Sequence, residues 1–373
     1  MKKIILIFTL VLIRSLSLEA SSPVRIEGVK NLGMGGAGSA FWSDYGVLYN
    51  PALLTHRKGF HIKLMDAPLA VSSDMFKFYE FVSDNQEDLE NFDNLSQERQ
   101  SELMSEIADT VTDYRMRINL GLAVPGLTMG PFPLPGPFGE LNVGAGVYSA
   151  ADIGMKMNPG ILVPKINIWA KVDGVLSVPV ATRIKRLPFN MPGEMSAGLG
   201  VKYIMRSRYE KNDSIMNLES FSVEPSDLEP GQGLGFDLGF VYDLSDELAL
   251  SMVINDLFST RLAYSDDSSE VITGSLSLGA AYKPFNSLKL AADIRGLESS
   301  DLTSATFFTK LYLGAEYSPL KIIALRGGLY QGYPTFGFGF LGFLNYAYYT
   351  REIGRYPGQI PEAMHTVSFS LGF

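Results

Sequence analysis

The sequence predicts an all-β protein, a closed antiparallel transmembrane β-barrel of about fourteen strands with an N-terminal plug and one α-helical insertion. Three observations predict it. First, from Met116 to Phe373 the chain repeatedly alternates apolar residues with small or polar ones at a period of two, the period of a strand with two different faces. Second, 37 glycines, 18 tyrosines and 23 phenylalanines accompany only 19% charged residues, a balance that suits a lipid-facing wall better than a soluble surface. Third, no later segment holds the continuous apolar run of about 18 residues that a membrane helix needs. Closure follows from lipid itself, because an unpaired strand edge there finds no water to satisfy it.

The first element is a targeting segment, residues 1–20. Lys2 and Lys3 give a basic start, and Ile4 to Ile13 form an apolar stretch too short to anchor in a bilayer, with cleavage expected after Ala20 or Ser22. Residues 21–58 then read as the plug. Four glycines in Gly33-Met34-Gly35-Gly36-Ala37-Gly38 allow tight, closely packed backbone, and Asn50-Pro51-Ala52-Leu53 is a turn or helix-start signal. Gly33, Gly35 and Gly38 match the G-x-G-x-x-G spacing, but no buried strand precedes them and no βαβ pattern follows, so a dinucleotide site is set aside.

A first strand is expected at 59–66, after which residues 74–113 break the alternation. Leu89, Phe92 and Leu95, then Leu103, Ile107 and Val111, recur at steps of three and four, the spacing of amphipathic helices, with a helix start at Ser96. This insertion holds twelve acidic residues against Lys77 and Arg99, so it carries the whole of the net charge of −9, and no basic patch points to nucleic acid. It reads as a solvated excursion or as a helical lid beside the barrel mouth. The remaining strands are expected at 116–124, 140–149, 166–173, 194–204, 234–242, 247–255, 274–282 and 287–296. They continue at 307–317, 321–330, 334–341, 343–350 and 364–373. The strand beginning at Ile166 is expected to run past a bulge at Gly174 toward Thr182, and the proline-rich stretch 125–138 is expected to be a loop, since each proline lacks a donor. At the end, Val367, Phe369, Leu371 and Phe373 alternate with small residues. Phe369, Leu371 and Phe373 together look like the terminal signal that outer-membrane assembly machinery recognises.

The plug and barrel together resemble the FadL-type outer-membrane transporter superfamily, which includes PorV- and TraF-like barrels. Gly33-Met34-Gly35-Gly36-Ala37, Asp44 and Asn50-Pro51-Ala52-Leu53 carry the likeness. It implies outer-membrane location, contact with lipid, and a plug whose gating residues are Gly33, Gly35, Gly36, Asn50, Pro51, Ala52 and Leu53. It also implies uptake of a hydrophobic small molecule of fatty-acid or aromatic-hydrocarbon type. The acidic helices directly after the first strand are more like the TraF-like branch. The other reading is therefore a non-transport barrel, a docking or accessory component of a secretion, conjugation-like or envelope system.

Catalysis, a metal site and a cofactor find no support in the residues. His56 and His61 share no helix face, His365 stands alone, and Gly274-Ser275-Leu276-Ser277-Leu278-Gly279 has the wrong spacing for a nucleophile elbow. The charges assigned to the inner face are Lys171, Asp173, Asp237, Lys289, Asp293, Arg295, Glu316 and Arg326. They fit either mutual pairing that holds the plug or a polar path with an arginine clamp for a carboxylate.

Overall fold

The computed structural model describes residues 27–372, apart from 42, 44, 112–114, 136–137, 159–164, 185–191, 215–226, 299–302, 304–305 and 321. The targeting segment expected at residues 1–20, Trp42, Asp44 and Phe373 therefore lie outside the described residues. The early strands are β1 His61–Ser72, β2 Arg115–Pro133, β3 Phe138–Asn158, β4 Lys165–Ile184, β5 Glu194–Ser214, β6 Glu229–Asp243 and β7 Leu248–Asn255. Two short strands follow, β8 Thr260–Tyr264 and β9 Ser269–Ile272, then β10 Ser275–Phe285, β11 Leu288–Arg295 and β12 Leu311–Leu320. The last are β13 Ile323–Tyr330, β14 Tyr333–Phe340, β15 Leu344–Glu352 and β16 Pro361–Gly372. Fourteen of these form a closed antiparallel ring, sealed by β1 against β16 and by β5 against β6. Each of the fourteen strands expected from the sequence is present. The β8–β9 hairpin is additional and branches from β6.

The ends of the ring differ. At one end the strands turn within a few residues, at 244–247, 286–287 and 341–343; there β1 begins and β16 ends. The other end carries the helices, the β8–β9 hairpin and most of the longer connections. On the outward face Leu120, Leu122, Leu176, Leu199, Leu278, Phe336 and Phe369 are exposed, an apolar belt of the kind lipid requires of a barrel. The inward face is small, polar or aromatic, and the described residues of 29–56 lie against it inside the lumen.

Several expectations need correction. The stretch 125–138 is not all loop: β2 runs on to Pro133, with register shifts between Ala123 and Gly126 and between Met129 and Phe132. The three prolines are tolerated because two of them fall inside those shifts and the third ends the strand. Strand β4 passes through Gly174 with its pairing to β3 and β5 unshifted, so no bulge occurs there. β1 continues six residues beyond 66, to Ser72.

The insertion forms α3 Ser73–Asp84, α4 Gln86–Glu90 and α5 Gln97–Val111; two short helices, α1 Val29–Gly33 and α2 Gly46–Tyr49, precede it in the lumen. Ser96 begins α5, its Oγ accepting from Arg99 N–H at 3.2 Å. The insertion is not a lid over the mouth. Leu103 and Ile107 of α5 bury themselves against Met116, Met155, Ile166 and Ile168. Those four stand on the outward face, since their neighbours Arg117, Asp152 and Lys171 point inward. The helices therefore cover the outside of β2–β4 near the long-loop end. Four apolar residues on the outer wall leave an apolar helix face nowhere better to go.

Candidate functional site

The site is the lumen, where residues 29–56 meet the wall. Close approach is possible because inward positions on four of the strands are glycine. A Cβ at Gly198 would collide with Ala52, at Gly239 with Asn50, at Gly279 with Ser39, and at Gly314 with Met34. On the other side of the contact, Gly35 has φ +62°, a left-handed backbone, and a side chain there would strike the Leu313 and Leu329 carbonyls. The motif glycines and the wall glycines thus form two halves of one fit.

Asn50 joins three parts at once. It is fully buried, its Oδ1 accepts from Ala52 N–H at 3.0 Å, and its Nδ2 donates to Ser39 O at 2.9 Å and to Phe240 O of β6 at 3.2 Å. The first bond caps the 3-10 turn Pro51–His56, in which Pro51, Ala52 and Leu53 are buried. Further anchors surround it. Asp293 accepts from Gly38 N–H at 3.0 Å and from Ser39 Oγ–H at 2.8 Å. Thr335 Oγ1 accepts from Gly35 N–H at 3.0 Å and donates to Gly33 O at 3.2 Å. Arg295 donates to Gly36 O and pairs with Glu27 at 3.1 Å. His56 Nε2 lies 3.0 Å from Asp243 Oδ2 where the segment leaves toward β1.

The charges assigned inward from the sequence all face the lumen, in four groups. Asp173 takes a two-point contact from Arg206, at 2.6 and 2.9 Å, and Lys171 reaches Glu270 beside it. Asp237 pairs with Lys202 at 2.8 Å. Asp293 and Arg295 hold the lumenal segment, while Glu316 is shared by Lys289 at 3.1 Å and Arg326 at 2.7 Å. Sequence reasoning missed several partners. Arg206, with its side chain fully buried, is one, and a cluster of Arg117, Asp152, Arg351 and Glu362 is another. Each has the same inward parity as its neighbours, so strand alternation alone could have found them.

The β8–β9 hairpin was also missed. Its Thr260, Leu262 and Tyr264 alternate with exposed residues, and Asp266-Asp267-Ser268 supplies the turn, so the signal was present but short. Leu262, Tyr264 and Ile272 pack in the lumen with Tyr45 of the inner segment and with Tyr148, Val175 and Ile204 of the wall. Burial pushes the Tyr264 phenol up. Burial also acts to raise the Glu270 carboxyl, but Arg206, Tyr264 and Lys171 outweigh it and hold that group below the usual carboxylate range.

Two cavities flank the inner segment. One, of about 450 Å³, lies toward the long-loop end between α1 and β1–β4, lined by Arg117, Asp152, Arg206, Tyr330 and Arg351. Its lining includes Pro68, Gly121 and Leu120, so it reaches the β1–β2 seam. There the register is unshifted, Asp66 opposing Ala123 and Leu69 opposing Leu120, but the two positions between them are unpaired: Pro68 has no N–H to give, and its ring packs against Gly121. The second cavity, of about 390 Å³, lies toward the short-turn end beside Ile62, Ala123, Leu127 and Tyr148.

His61 Nε2 lies 2.9 Å from the Lys58 carbonyl, and His365 sits outward among Phe76, Tyr346 and Tyr348, so the structure does not bring the three histidines together. Phe369 and Leu371 point outward.

Comparison with curated proteins returns no match. Among solved structures, the chain is similar to the toluene transporter TodX of P. putida, at 13% identity and a TM-score of 0.49, covering 96% of this chain and 99% of that one. It is similar to the Ralstonia pickettii toluene transporter TbuX, at 11% identity and a TM-score of 0.44, covering 92% and 97%. A Pseudomonas aeruginosa FadL homologue matches at 11% identity and a TM-score of 0.36, covering 94% and 98%. The family described as "F plasmid transfer operon, TraF, protein" matches residues 47–294, which include Asn50-Pro51-Ala52-Leu53 and nine strands of the ring wholly or in part. That match spans well over half of the chain, and the protein belongs to this family.

Proposed function

We propose that the protein is an outer-membrane barrel that takes up hydrophobic small molecules, of long-chain fatty-acid or aromatic-hydrocarbon type, past a plug formed by residues 29–56. The observation that carries this reading is the pair of unpaired positions at Pro68 in the β1–β2 seam beside the larger cavity. A route through the wall at Pro68 ends between Leu69 and Leu120, both turned outward and about half exposed. Such a route delivers its cargo to hydrocarbon, so it suits a molecule that partitions into lipid. The apolar lumen layer of Tyr45, Tyr148, Val175 and Leu262 offers such a molecule a surface on the way. Gly33, Gly35, Gly36, Asn50, Pro51, Ala52 and Leu53 seat the plug, and the chain end at Phe369, Leu371 and Phe373 serves assembly into the membrane.

A second reading makes the barrel a docking or accessory component of an envelope or conjugation-like system. Two observations favour it: the family description names a plasmid transfer operon, and the upper lumen is crossed by ion pairs. Uptake separates the two. Cells carrying the folded wild type take up a labelled fatty acid or toluene faster than empty-vector cells, and Asn50→Ala with Pro51→Ala changes that rate at equal barrel amounts. Wild-type uptake no faster than the empty-vector background leaves only the second reading.

A further inference from the structure

We propose that α3 is an interfacial helix whose exposed aromatic face is set into the headgroup boundary of the bilayer around the barrel. This rests on the barrel spanning a membrane and not on what it takes up. At helical spacing, Ser73–Asp84 has three faces. Met75, Phe78 and Phe81 pack against the outer wall. Lys77, Glu80 and Asp84 are exposed on a charged face. Beside the buried face, Phe76 and Tyr79 stand 56% and 74% exposed. Its neighbour α5 covers the same wall differently. There Gln97, Glu98, Ser101, Glu102, Ser105 and Glu106 are exposed, all of them polar. A cover helix in water needs no aromatic pair on its open side, so α3 meets something other than water.

Two observations say what it meets. The first is height. β1 climbs from the short-turn end for 12 residues before α3 begins. At about 3.3 Å per residue and a tilt near 40°, that is about 30 Å, against an apolar band of roughly 25 Å. α3 therefore starts where hydrocarbon gives way to headgroups. The second is a contact that fixes the same level independently. The Phe76 ring lies edge-on to the His365 ring at 5.5 Å. His365 is on the outward face of β16, two residues above Val367, which is exposed in the apolar belt with Phe369 and Leu371. The aromatic face of α3 thus continues the belt at its upper rim. Farther round, Phe258 just past β7 and Phe308 just before β12 are exposed at the same end. Aromatic rings gather at this depth, and a phenol keeps its polar tip in the headgroups while the ring sits in lipid. Within α3, Asp74, Glu80 and Asp84 stand against Lys77 alone, so the attraction is apolar and needs no anionic lipid.

Depth measurement on the full chain decides the matter. The sequence has no cysteine, so a single introduced thiol carries the only label. Tyr79→Cys, Phe76→Cys, Asp84→Cys and Phe336→Cys are each labelled with a nitroxide and folded into dioleoylphosphatidylcholine vesicles. All four side chains are exposed, and heat-modifiability checks that each variant folds. Power-saturation spectra then compare access to oxygen, which concentrates in hydrocarbon, with access to a water-soluble nickel chelate. The labels at 79 and 76 are expected to be severalfold less open to nickel than the label at 84 on the same helix. Phe336→Cys, in the belt, is expected to favour oxygen most. Nickel access at 79 equal to that at 84, with lipid contact intact at 336, overturns the proposal alone and leaves the aromatic pair to a protein partner. Nickel access at 336 as high as at 84 overturns the membrane placement of the barrel and the proposal with it.

Discussion

Two parts of one wall differ more than their shared alternation suggests. Strands β2–β5 are 19 to 21 residues long, whereas β11–β15 are 8 to 10. At about 3.3 Å per residue and a tilt near 40°, nine residues rise about 23 Å, close to the roughly 25 Å apolar band of an outer-membrane barrel. Twenty residues rise about 50 Å, twice that band. The short wall is thus all membrane wall. The tall wall outgrows it, and its upper outward residues Met116, Met155, Ile166 and Ile168 are buried under α3 and α5 instead of standing in water. The acidic insertion is explained by that geometry: an apolar face for the strands and a charged face for solvent.

The largest effect is expected inside the tall wall. Arg206→Met strands Asp173 and Glu270 without their shared cation, and breaking such a buried pair costs about 3–5 kcal/mol. Denaturant unfolding of the purified barrel should show that loss; a change below about 1 kcal/mol would mean water has already screened the group. Next comes the cover itself. Leu103→Ala removes a fully buried side chain between helix and wall and should weaken docking by about 2–5 kcal/mol. Limited proteolysis should then cut within 73–111 while the barrel stays heat-modifiable, and an unchanged digestion pattern would break the comparison. Truncating Phe338 on the short wall should leave proteolysis of the insertion untouched, since that residue is exposed on a strand paired with β13 and β15 and not with the strands the insertion covers.

A smaller effect falls on the inner segment proposed as the plug. Asn50→Ala forfeits three hydrogen bonds, but the wall glycines and the Asp293 and Thr335 anchors remain, so the loss is about 1–3 kcal/mol of docking. Hydrogen exchange should rise across residues 37–56 and stay unchanged in β13. The smallest effect concerns pH. The folded Glu270 carboxyl titrates below its ordinary value, so its contribution is complete at neutral pH, persists below the ordinary carboxylate range, and disappears only as pH falls through the lowered value. Exchange in residues 260–272 should therefore stay slow down to mildly acidic pH and rise below it; a rise near neutrality would contradict the assigned pairing.

The strands and the helices were legible because period two and period three-to-four survive in any context, and Ser96 marks its helix start locally. What stayed hidden depends on neighbours across the ring. Nothing near Gly198 or Gly239 announces that Ala52 and Asn50 will fill their missing side chains. Residues 74–113, read as a solvated excursion or as a lid beside the mouth, pack on the outside of the wall because four outward apolar residues on three strands face their apolar side. Pro68 reads as an ordinary edge signal until β2 lies beside it and the ladder breaks.

That break offers the most direct test of the functional reading. The chain has no cysteine, so Leu69→Cys with Leu120→Cys places the only thiols on two paired residues beside the unpaired positions. Opposed antiparallel residues lie within the Cα spacing of a disulfide. Oxidation should then lock the seam. Uptake of the fatty acid or toluene should fall toward the empty-vector level in the oxidised double variant and return on reduction, with both single variants behaving as wild type. Undiminished uptake through a fully cross-linked seam would contradict the route at Pro68.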